Sequence, residues 1–199
     1  DRNRRAALRQ RHANAFAEIE VGRKLQEVGD RLIRNLWDVV GLCFCLGGGR
    51  MNLQPWDLWT AKGVPKGRAL EILAVLERTL ASVPKHPGAN HFYIHAIEAS
   101  PWPEKGIPVA ERLSALVPGS GHLVHMPSHI YFRVGRYADA SSINAQASAV
   151  DEEYIAQCPA QGIYPLAYYP HNLHFLYAAS GFQGNSELTI LAAEKVAAA

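Results

Sequence analysis

The period of its residues constrains this chain more than any other feature. Apolar and histidine positions recur three, four or seven apart, and no run alternating apolar with polar residues is long enough for a sheet. Residues at those separations share one face of an α-helix, whereas a strand repeats at every second position. The reading is all-α. In RALEILAVLERTLASV, Leu70, Leu73, Leu76 and Leu80 follow the helical period. Two earlier segments, around Ala13 to Val28 and Arg31 to Leu46, are amphipathic, and the second stops at Gly47, Gly48 and Gly49. Further on, turn residues set helices in pairs spanning about 88–117, 122–154 and 169–199, the first pair divided by Pro101, Trp102 and Pro103. Helices joined by such short turns pack as antiparallel hairpins.

The segment VGRYADASSINAQASAVDEE is more specific. It looks like the second half of a tetratricopeptide repeat, with Gly135 at the turn, Tyr137 opening the next helix, Ala140 at a close helix approach and Ala147 against the next repeat. Small residues belong where stacked helices nearly touch. FQGNSELTILAAEKVA is a weaker version with Gly184 at its turn. The two glycines stand 49 residues apart, where the standard repeat has about 34, so QCPAQGIYPLAYYP reads as an insertion. The expected architecture is a right-handed superhelical array of helix hairpins.

Seven of the nine histidines fall in three segments with helical spacing: His91 and His95; His122, His125 and His129; His171 and His174. Counted back from Gly135, Gly184 and Pro101, they occupy recurring slots on the first helix of each pair. In a tetratricopeptide array that helix lines the concave groove, so the imidazoles of successive repeats converge. Neutral imidazole is a ligand for copper, zinc, nickel and iron. The expected ligands are His91, His95, His125, His129 and His174, with His122 and His171 nearer the helix starts as first or outer ligands. Glu98, three residues beyond His95, is the candidate catalytic proton carrier. The nitrogen-rich set favours copper or zinc over iron, and one ion or two can be accommodated. Pro127 either kinks its helix or opens it, the latter leaving His122 and His125 in a loop. His86 reads as a turn residue and His12 as a surface one. Tyr93, Tyr131, Tyr168, Tyr169 and Tyr177 crowd the same segments, either packing the array and bonding histidines or walling a pocket above the metal.

MNLQPWDLW, HPGANHFYIHAIEASPWPE, LVPGSGHLVHMPSHIYFRVGRY and YPLAYYPHNLHFLYAA together resemble a bacterial family of tetratricopeptide-repeat-domain proteins. The resemblance covers residues 51–199 and implies the fold, not a settled activity. Residues 1–50 read as an N-terminal helical segment in which GLCFCLGGGR departs from the family pattern.

A formal charge of +2, from 20 basic against 18 acidic residues, is too small for a nucleic-acid footprint. DRNRRAALRQRH reads as a solvated helix face. The longest apolar stretch, Leu36 to Leu46, contains Asp38 and is too short to span a bilayer. Cys43, Cys45 and Cys158 form no redox or zinc motif and read as buried free thiols, which points to the cytoplasm. The chain begins at Asp1 rather than methionine, which leaves room for a preceding leader or domain. No serine nucleophile elbow is present, and GGGR lacks the ending of a phosphate loop. Two functions remain: a metal-dependent oxidoreductase or hydrolase acting on a small molecule, or a scaffold holding a peptide or protein partner in its groove.

Overall fold

The structure, a computed structural model, describes residues 51, 57–158, 162 and 164–198. They belong to one compact unit, Cys43–Ala199. The expected helices around Ala13 to Val28 and Arg31 to Leu46, with His12, Cys43 and Cys45, lie outside the described residues.

Among the described residues eight α-helices follow one another: α1 Ala69–Ser82, α2 Pro87–Ile97, α3 Ile107–Leu116, α4 Gly121–His125, α5 Pro127–Arg133, α6 Tyr137–Gln157, α7 Tyr169–Gln183 and α8 Ser186–Ala198. A 3-10 turn at Pro103–Gly106 leads into α3, and a π-turn at Tyr164–Tyr168 leads into α7. Among the described residues the chain is all-α, with a lone bridge between Trp59 and Pro65. No described helix is long and apolar enough to cross a membrane.

Local chemistry explains the boundaries. His86 caps α2 by accepting the Ala89 N–H on Nδ1 at 3.1 Å, and Pro87 follows with a φ already suited to the first turn. Gly184 ends α7 at φ 83°, and its N–H returns to the Gly181 and Ser180 carbonyls. Only glycine takes that left-handed angle without strain. Pro127 opens α5 directly after α4, with Met126 between them at helical dihedrals. His122 and His125 are therefore helical and not in a loop. On α1 the buried face is centred on Leu76 with Ile72, Leu73 and Leu80. Leu70 lies about 120° around the helix from Leu76 and is exposed.

Packing follows chain order. α1 packs on α2, α2 on α3, α3 on α5, α4 and α5 on α6, α6 on α7, and α7 on α8. The first helices of the pairs also meet, α2 with α5 and α4 with α7. Ile72, Leu76, Ile94, Ile97, Leu113 and Ile130 form the fully buried centre, with Ala140, Ala147, Ala179 and Ala192 buried where helices approach closely. Cys158 is free but exposed at the end of α6, contrary to the buried thiol expected, because the last turn of that helix, with Ala156 and Gln157, is itself exposed.

At the start of α4, a Cβ on Gly121 would run into the Asp151 carboxylate of α6. Gly121→Ala is expected to cost ~1–3 kcal/mol through overpacking. Gly119→Ala, with open space around its Cβ, leaves the melting temperature near that of the parent protein. Equal melting of the two variants would contradict this packing.

Candidate metal centre

The first helices bring six of the seven expected histidines together. α2 supplies His91 and His95, one turn apart; α4 supplies His122 and His125, α5 His129, and α7 His171. Among the described residues, ligand atoms within 4.8 Å of one another form three groups: His91, His95 and His122; His125, His129 and His171; and His95, Glu98 and His129. His174, expected as a ligand, lies exposed outside all three. On α7 a three-residue step turns a side chain about 60° away. Phe175, one full turn from His171, takes the inward position and packs on His125 and His129 at 4.8 and 4.5 Å between ring centroids.

The imidazole orientations are set from behind. Glu98, at the end of α2, accepts the Nδ1–H of His95 on Oε1 at 3.1 Å and that of His129 on Oε2 at 2.6 Å. His125 Nδ1 faces Asn144 Oδ1 at 2.6 Å, while the Asn144 amide donates to the Ala140 carbonyl. The Asn144 oxygen can only accept, so His125 Nδ1 carries the proton. With His129 Nδ1 likewise engaged by Glu98, the Nε2 atoms are the remaining positions of the two rings, and they face each other at 2.9 Å. His91 Nε2 and His122 Nε2 face each other likewise at 3.1 Å, and His122 Nδ1 is buried with no hydrogen-bond partner among the described residues.

Burial disfavours the charged form of four of the imidazoles. It lowers the pKa of His91 to about 3 and those of His122 and His171 to about 4, with neighbouring imidazolium charge adding to the effect. Fully buried His125 is pushed well below the usual histidine value, again by desolvation first. Burial opposes ionisation of Glu98, but the hydrogen bonds from His129 and His95 outweigh it and hold the carboxyl far below its ordinary range.

A cavity of about 540 Å³ opens beside the cluster. His91, His95, His122, His129, His171 and Glu98 line it together with Trp59, Phe92 and Tyr168. Trp59 is anchored by an indole N–H to Ala96 carbonyl bond of 2.8 Å. Of the five tyrosines singled out in the sequence, only Tyr168 reaches this wall, edge-on to His122. The hydroxyls of Tyr93 and Tyr169 bond Glu77 and Glu152 instead of histidines. Arg136 pairs with Asp139 and Glu111 and lies over the Tyr131 ring.

Two supporting residues escaped the sequence reading, Asn144 and Asp151. Asp151 is 1% exposed and takes hydrogen bonds from Tyr164 and Asn172. Tyr164 in turn accepts the His122 backbone N–H. Ala140 and Ala147 were placed on the packing face of α6, and residues four and eleven beyond Ala140 lie on that same face. That register was the available signal.

No protein-family model matches the chain, and no curated protein matches it in sequence.

The lowered histidine pKa values make the metal-free fold acid-sensitive. An unfolded chain binds these protons near pH 6.5, whereas the folded one resists them until about pH 4 or lower, so falling pH favours unfolding. Chelator-treated protein is expected to have full stability above about pH 6.5 and to lose several degrees of melting temperature towards pH 4. A midpoint that does not move across that window would contradict the burial of these rings.

Proposed function

We propose that the histidine cluster binds a transition metal, copper or zinc, and that the adjoining cavity receives a small-molecule substrate for metal-dependent oxidation or hydrolysis. The supporting observation is the pair of Nε2 atoms of His125 and His129, on rings oriented by their Nδ1 partners and facing each other at 2.9 Å. Where both rings are neutral, as metal ligands must be, two lone pairs held that close repel. A cation shared between them removes the repulsion, and imidazole nitrogen is a natural ligand for a transition ion. Carboxylate and amide groups behind the ligating rings are the usual means of orienting them.

The scaffold in this reading is a tetratricopeptide-like right-handed array. Contact between successive first helices, left-handed glycines at the turns and buried alanines between helices support it. Glu98 serves better as an orienting group than as the proton carrier expected, because a carboxylate held so acidic is a weak base. A peptide-binding scaffold is less well supported, since imidazoles line the cavity in place of the cationic and amide side chains that capture peptide carboxylates and backbone.

Elemental analysis of protein purified without affinity tag or chelator tests the reading. Stoichiometric copper or zinc is expected, retained by His174→Ala and reduced in His125→Ala. Protein that carries no metal and takes up neither ion on addition would overturn it. Glu98→Gln is expected to weaken metal affinity by ~10–100-fold, the usual effect of removing an orienting partner. Unchanged affinity would remove Glu98 from the site.

A further inference from the structure

Resting on that metal-binding reading, we infer that the cluster is a pair of three-histidine sites, one formed by His91, His95 and His122 and the other by His125, His129 and His171. The nitrogen atoms divide this way by distance. The closest facing pairs, His91 with His122 at 3.1 Å and His125 with His129 at 2.9 Å, fall one in each triad. An ion bound at ~2.0–2.1 Å in tetrahedral geometry holds neighbouring nitrogens about 3.3–3.4 Å apart, so each pair already stands near chelating distance. Third members lie beside them: the His95 ring is 4.9 Å from His91, and the His171 ring 4.7 Å from His125. Among the described residues, no mutually close group combines His91 or His122 with His125 or His171. A single tetrahedral ion would leave two of the six imidazoles without a role.

Glu98 joins the triads without entering either. Its two oxygens hold the Nδ1 atoms of His95 and His129, one ring from each, so a single carboxylate orients both sites. The rings at the junction are adjacent, His95 to His129 at 5.1 Å and His122 to His125 at 6.0 Å. All three rings of the first triad line the cavity, whereas His125 of the second is fully buried behind it.

Charge favours monovalent copper in the pair. Six neutral imidazoles and one carboxylate supply a single negative charge, against two positive charges for a copper(I) pair and four for a zinc pair. Uncompensated buried charge is costly, and copper(I) also tolerates three-coordinate nitrogen sites.

The test is an anaerobic titration of the full chain with copper(I) against a colorimetric copper(I) chelator, followed by elemental analysis. Uptake of two equivalents is expected, falling to one in His91→Gln and to one in His171→Gln, while His174→Ala retains two. His91 and His171 are only partly buried, and glutamine preserves bulk and polarity at both positions. With Cys43, Cys45 and Cys158 alkylated beforehand, so that no thiol takes copper(I), the wild-type end point decides the question even if a variant fails to fold. One equivalent in the wild type would overturn the pair and leave the metal-binding proposal standing. No uptake of copper(I), together with no native metal and no uptake of zinc, would overturn both.

Discussion

One face of α6 holds the site together. Ala140, Asn144, Ala147 and Asp151 share that face and are all buried. The two alanines let α4 and α7 come close, and the two polar residues determine how they sit. Asn144 aligns the His125 ring. Asp151 gathers Tyr164 and Asn172, and through Tyr164 it reaches the backbone of His122. A buried carboxylate requires such partners, since leaving it unpaired costs several kcal/mol, on the order of 3–5. The requirement works in both directions, because the partners that satisfy Asp151 are also the groups that fix α4 and α7 on α6.

The same economy of polar groups shapes the cluster. Most of its rings sit where burial disfavours protonation. Neutral imidazoles are ligands, whereas imidazolium ions are not. Among the described residues Glu98 is the only carboxylate in the cavity wall, and both its oxygens face ring N–H groups. Its negative charge therefore faces His95 and His129 and leaves the cavity side to their Nε2 atoms. Trp59, Phe92 and Tyr168 add an aromatic wall to the cavity beside the cluster.

Helix period and turn chemistry were legible in the sequence. The pairs expected over about 88–117, 122–154 and 169–199 correspond closely to α2 with α3, α4 and α5 with α6, and α7 with α8, because glycine, proline and apolar spacing act locally. His91, His95, His122, His125 and His129 come together with Glu98 as a face-by-face count implies. The count failed at α7. Counting from Gly184 treats His174 as equivalent to His125, but it does not specify how far the helix is rotated about its own axis. That rotation is set by the burial of Asn172, Leu173, Leu176, Ala179 and Ser180 against its neighbours. With that face inward, His171 and Phe175 turn to the cluster and His174 turns to solvent.

The sequence by itself determined that the described chain is helical, where its helices break and which helices carry imidazoles, since these follow from residue periodicity and backbone preference within a few turns. Tertiary structure decided which imidazoles meet, which of their nitrogens is free, and that Asn144, Asp151 and Glu98 stand behind them. Those properties depend on the rotation and approach of helices distant in sequence, such as α2 and α5, whose residues Glu98 and His129 bond across 31 positions of chain. No local pattern encodes that contact; it arises only when the apolar faces of the helices are buried against one another.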